Sequence, residues 1–140
     1  MSWLFWALLS ALFAATTAIF AKLGVAGVDS NFATAVRTTV VVLLAWGIAL
    51  ATRTENSFHV PSPRTWLFLT LSGLATGLSW MCYFKALQLG PASRVAPIDK
   101  LSVALVIGFA ALFLGEKITW GKALGGSLIV AGAIVVALDN

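Results

Sequence analysis

Chemically reactive residues are scarce in this sequence, which has one cysteine, one histidine and five acidic residues in 140. The lone Cys82 has no intrachain partner for a disulfide and reads as a small packed residue. One histidine and scattered carboxylates supply neither a metal site nor a nucleophile–base pair at recognisable spacing. The expectation is therefore a non-enzyme with no metal and no cofactor. Charge is short as well: charged residues are 10% of the chain, too few for the surface of a water-soluble domain. The basic residues outnumber the acidic ones, with a formal charge of +4. They are dispersed singly between apolar runs and form no stripe, which excludes nucleic acid as a partner.

What the sequence has is apolar length. Hydrophobic residues make up 60% of it and the mean hydropathy is +0.98. Five stretches are long enough to cross about 30 Å of hydrocarbon as helices: 3–21, 31–51, 66–89, 95–114 and 120–138. No lysine or arginine precedes the first, and further apolar runs follow at once, so it reads as a retained helix and not as a signal peptide. The β-branched stretch 38–42 would suit a strand in a soluble protein, but its apolar surroundings are too long for one. In lipid each segment must satisfy its own backbone, and runs this continuous do not alternate as barrel strands do. The predicted fold is all-α and membrane-integral, a single domain over residues 1–140 with no extramembrane domain.

Punctuation agrees with this parsing. Lys22 and Gly24 can end the first helix, and Asp29, Ser30 and Asn31 offer caps for the second. Ser62 and Pro63 suit a cap and first helical position, Gly90 and Pro91 a sharp stop. Gly115 can close the fourth helix and Thr119 can cap the fifth. Trp3, Trp6, Trp46, Trp66 and Trp120 lie toward run ends, where indoles favour the headgroup boundary, while Trp80 lies deeper. Pro97 is either a harmless first-turn proline or a point at which the fourth helix loosens.

Five spans place the termini on opposite sides. Loops 52–65 and 115–119 then share one face, and loops 22–30 and 90–94 share the other. Arg53, Arg64, Lys117 and Lys122 on the first face oppose Lys22 and Arg94 on the second, joined near its helix ends by Arg37, Lys85 and Lys100. This near-balance declares no orientation, as in a chain that inserts both ways. Transporters are commonly built from inverted repeats around a midplane site, and no internal repeat supplies a second half here. The expectation is a homodimer, antiparallel if copies insert in both directions, or a pair with a related chain.

Small residues permit close helix approach in membranes. Gly121, Gly125 and Gly132 form one stripe on the fifth helix, broadened by Gly126, Ser127 and Ala131, and it serves either a dimer seam or packing within the monomer. Gly73, Gly77, Trp80 and Phe84 form a stripe on the third helix, predicting close packing at one end and bulky side chains at the other. Trp80, Tyr83 and Phe84 are candidates to line a cavity, against the alternative of core or lipid-facing aromatics.

Charges inside spans are costly and normally face a bundle interior or a water-filled path. Arg37, Lys85, Asp99 and Lys100 each fall about 8–9 Å inside the same face at 1.5 Å per residue. Asp99 has Arg37 or Lys85 as possible partners, and the excess positive charge would favour a carboxylate or phosphate. The competing reading is snorkelling by the long cations, with any ion pair fixing packing only. Glu116 and His59 read as solvated loop residues. No acid lies in the first helix.

Four segments carry a family likeness: FAKLGVAGVDSNFATAVRT at 20–38, LSGLATGLSWMCYFKALQLG at 71–90, SRVAPIDKLSV at 93–103, and LFLGEKITWGKALGGSLIVAG at 112–132. The chain resembles the short, five-helix, single-domain EamA-type members of the drug/metabolite transporter superfamily. The resemblance implies inner-membrane export or exchange of a small metabolite by alternating access, with the substrate held between two halves. It also implies that Arg37 occupies the family's second-helix arginine position and that Gly115 and Glu116 match the Gly-Glu ending of its fourth helix. The glycines spaced by seven are similar to the dimer motif of small multidrug resistance proteins, whose first-helix glutamate has no counterpart here. The expected pathway residues are Arg37, Lys85, Asp99, Trp80, Tyr83 and Phe84, and Gly121, Gly125 and Gly132 are the expected dimer seam. Alternatives are a subunit of a lipid-linked sugar flippase and a non-transporting assembly subunit.

Overall fold

The computed structural model describes residues 2–52 and 62–139, so Arg53, Glu55, Ser57 and His59 of the loop read above lie outside the described residues. The described residues form six helices: α1 (Trp3–Gly24), α2 (Ser30–Ala51), α3 (Pro63–Leu89), α4 (Ala92–Asp99), α5 (Leu101–Leu114) and α6 (Trp120–Leu138). Five helical spans are long and apolar enough to cross a membrane, α4 and α5 together making the fourth. Most large apolar side chains along them point outward, among them Leu43 at 68% exposure, Phe113 at 76% and Val135 at 68%. So much apolar surface in water would drive aggregation, whereas in lipid it is the solvated face. The chain is a multi-pass membrane protein.

Local chemistry sets the ends. The Asp29 carboxylate accepts from the N–H groups of Asn31 and Phe32, both at 3.0 Å, satisfying donors that the first turn of α2 leaves unpaired. Ser62 Oγ accepts from Thr65 N–H at 3.2 Å beside Pro63, the first residue of α3. Thr119 Oγ1 does the same for Lys122 N–H at the start of α6. At the end of α5, Gly115 takes φ +69°, and its N–H and that of Glu116 both turn back to the Ala110 carbonyl. A side chain would strain this left-handed cap, which is why glycine serves there. Gly27, at φ +75°, turns the chain between α1 and α2.

The fourth span differs from its sequence reading. It begins at Ala92, three residues early, because the Pro91 carbonyl already accepts from Arg94 and Val95 N–H, each at 3.1 Å. Pro97 is therefore the sixth residue of α4 and not a first-turn proline. It has no N–H to give to the Ser93 carbonyl and crowds the preceding turn. The helix breaks just beyond, where Lys100 N–H closes a tight turn onto the Pro97 carbonyl at 3.0 Å.

The chain divides into two compact units. One comprises Met1–Leu23 and Leu89–Asn140. In it α6 packs against both α4 and α5, and Lys22 Nζ donates to the Gly90 carbonyl at 2.8 Å. Gly126 and Ala133 are the buried positions of α6, and a Cβ at Gly126 would stand 3.1 Å from Ile107 Cδ1 on α5. The other unit, Gly24–Gln88, holds α2 and α3. Among its described residues Val25, Ser30, Thr34, Phe84 and Leu87 are buried, and the Gln88 side-chain amide donates to the Val28 carbonyl.

Candidate functional site

The second unit brings α2 and α3 together around Arg37. Its guanidinium carbon lies 4.1 Å from the centroid of the Trp80 ring and 5.5 Å from that of Phe84. Helical spacing explains the pairing, since Trp80 and Phe84 are four residues apart and share a face of α3. Arg37 is half-buried, Phe84 is 3% exposed, and Trp80 and Tyr83 are half-buried. A cation over an aromatic face is held by the ring quadrupole, an attraction of about 0.5–2 kcal/mol depending on desolvation. The guanidinium carries its N–H donors in its own plane, a fork that suits a planar oxyanion. Among the described residues Arg37 makes no ion pair.

A polar stripe that the sequence reading does not single out continues this face of α2. Ser30 and Thr34 are buried, Thr38 is half-buried, and they follow one another at intervals of four. Thr34 Oγ1 donates to the Ser30 carbonyl at 2.7 Å and Thr38 Oγ1 to the Thr34 carbonyl at 2.8 Å. Their protons are spent on the backbone, which makes polar residues tolerable in a span and leaves oxygen lone pairs as acceptors. The interval of four, with Arg37 beside it, is the signal that marks them.

The remaining expected pathway residues lie elsewhere. Lys85 is exposed on α3, as a snorkelling cation would be. Asp99 belongs to the first unit. Its carboxylate sits 3.2 Å from Nζ of the adjacent Lys100. The break after Pro97 puts these two residues on one turn, and with side-chain exposures of 38% and 56% the pair is solvated, worth about 1 kcal/mol at most.

The glycines sort into two sets. The close approach expected at Gly73 and Gly77 is not made among the described residues, since a Cβ at either would meet nothing within 4 Å. Gly121, Gly125 and Gly132 also face open space, whereas Gly126 takes the packing against α5. Gly125 and Gly132 differ from Gly126 and Ala133 by about 100° around α6, the rotation per residue of a 3.6-residue helix. Among the described residues, one small-residue face of α6 is packed and the adjacent one is uncovered.

Comparison with known proteins agrees with this architecture. The model of the EamA-like transporter family matches residues 1–138. A Sinorhizobium protein named as an uncharacterized transporter in the cobO 3' region is 55% identical over 138 residues, 98% of this chain and 97% of that one. A probable 4-amino-4-deoxy-L-arabinose-phosphoundecaprenol flippase subunit, ArnF of Erwinia tasmaniensis, is 42% identical over 79 residues, 54% of this chain and 60% of its own. No solved structure matches at a significant level. With the match running through all five spans, the chain belongs to the EamA-like transporter family.

Proposed function

We propose that this single membrane domain is one half of a dimeric secondary transporter of the inner membrane, exporting or exchanging a small polar or amphiphilic metabolite by alternating access. The observation that carries the reading is the Arg37 guanidinium over the Trp80 ring inside a span. A charge at that depth is expensive, and intramembrane cations normally mark a solute path. With its in-plane donors uncommitted to any carboxylate among the described residues, Arg37 suits a solute with a carboxylate or phosphate. Trp80, Tyr83 and Phe84 supply the apolar wall, and Ser30, Thr34 and Thr38 supply acceptors. Lys85 and Asp99 join the pathway only as flanking charges. The uncovered Gly121, Gly125 and Gly132 face of α6 is the proposed seam with a second copy, antiparallel if the chain inserts both ways, or with a related chain.

A second reading, a subunit of a lipid-linked sugar flippase, is favoured by the 42% identity to the ArnF flippase subunit. The two separate by substrate. Thermal stabilisation of the purified protein is to be measured across anionic metabolites, neutral metabolites and polyprenyl-phosphate sugars, followed by transport in proteoliposomes with the best of them. Stabilisation and uptake of a water-soluble anion, lost in Arg37→Gln, supports the carrier. Stabilisation by the lipid-linked sugar alone supports the flippase subunit. A dimer that moves neither and copurifies tightly with another membrane protein would instead be an assembly subunit.

A further inference from the structure

At the turn from α5 to α6 the first unit holds a pocket of about 170 Å³ that the proposed pathway does not use. Val106, Ile107 and Ala110 of α5 form its wall, and Glu116, Lys117 and Lys122 stand around it. Polarity is therefore graded along the membrane normal. α5 ends at Leu114 and α6 begins at Trp120, so the charged rim sits where a span leaves hydrocarbon. Val106 precedes Leu114 by eight positions, about 12 Å deeper at 1.5 Å per residue.

Charge at the rim is unbalanced. Glu116 Oε2 lies 2.9 Å from Lys122 Nζ, so these two compensate each other. Lys117 makes no hydrogen bond or ion pair among the described residues, and it leaves the rim with one net positive charge. Size narrows the ligand further. Pockets that enclose a drug-sized solute run to roughly 300–1,000 Å³, and this one is smaller. It has room for a phosphate and the first part of an acyl chain, and Leu105, Phe109 and Leu112 are exposed along α5.

We propose that this pocket binds an anionic phospholipid, with the phosphodiester at Lys117 and Lys122 and the upper acyl chain against Val106, Ile107 and Ala110. A phosphodiester carries the single negative charge that the rim lacks, and the apolar wall beneath it distinguishes a lipid from a free ion. Basic pockets between membrane helices recognise lipid headgroups by this combination. The site needs no transport activity, so it stands or falls apart from the carrier reading.

The purified full chain in non-ionic detergent is to be titrated with palmitoyl-oleoyl phosphatidylglycerol, phosphatidylcholine of the same acyl chains, or inorganic phosphate, counting bound lipid by native mass spectrometry. Phosphatidylglycerol should be retained about fivefold over phosphatidylcholine, the factor one lysine near an anionic lipid contributes. Lys117→Gln, an exposed side chain with no partner to lose, should abolish that preference. Glu116→Gln should raise it by freeing Lys122, which a purely structural role would not do. Val106→Trp, filling the wall at an exposed position, should lower retention of phosphatidylglycerol. Equal retention of the two lipids, a preference unchanged in Lys117→Gln, or equal thermal protection by inorganic phosphate alone would overturn the assignment.

Discussion

The Arg37 guanidinium carbon lies 4.1 Å from the centroid of the Trp80 ring, joining α2 to α3 within the membrane-spanning part of the chain. The contact fixes where a half-buried charge sits, and the planar guanidinium offers its donors there as a fork. Arg37→Lys keeps the charge but loses the planar fork. Uptake in proteoliposomes should therefore fall nearly as far in Arg37→Lys as in Arg37→Gln. If Arg37→Lys transports as the parent does, charge alone matters and the stacking does not.

Removing the other partner has a smaller, calculable effect. Trp80→Leu deletes the cation–π term and should weaken solute binding on the order of tenfold, near the upper part of the range for such pairs. The measurement is the solute concentration giving half-maximal thermal stabilisation, compared with Phe84→Leu. The effect at Phe84 should be less electrostatic, its centroid being 5.5 Å from the guanidinium, and should show more in unliganded stability because that ring is buried.

The two glycine faces of α6 predict opposite phenotypes. Gly126→Leu drives a side chain into Ile107 and should destabilise the fold by about 1–3 kcal/mol, the usual cost of overpacking. Gly132→Leu meets open space within the chain and should leave the monomer's melting unchanged while reducing crosslinked dimer. Undiminished crosslinking in Gly132→Leu removes the seam from the proposal.

Asp29 accepts two backbone N–H groups at the start of α2. Asp29→Ala should lower stability in detergent by about 1 kcal/mol and Asp29→Asn by much less, since asparagine caps almost as well. Equal losses in the two would assign the effect to the charge and not to the cap.

Features decided within a few residues of sequence are legible in advance. Asp29, Ser62, Gly115 and Thr119 act on their own turns, and each ends or starts a helix where its chemistry indicates. That Trp80 and Phe84 share a face of α3 also follows from their spacing, whereas Arg37 lying over that face does not. What requires the fold is the identity of neighbours. Nothing local tells Gly126, which meets α5, from Gly125, which meets nothing. Asp99 pairs with Lys100 because the helix breaks there, and a fourth span read as starting at residue 95 instead of Ala92 puts Pro97 in the first turn, where it breaks nothing. The Ser30, Thr34 and Thr38 stripe is hidden for another reason: hydroxyls four residues apart are common on exposed helix faces, and only the burial of Ser30 and Thr34 marks this face as an inward one.

The interruption at Lys100 also governs how the fourth span can move. An unbroken rod of that length flexes only by bending all its hydrogen bonds slightly, whereas two rods joined at one loosened turn pivot at that turn alone. The Ser93 carbonyl, which Pro97 cannot serve, gives a water molecule or a neighbouring hydroxyl a foothold below the headgroups. Pro97→Ala, by restoring that donor, should raise the melting temperature and slow turnover together, the signature of a joint that has been splinted.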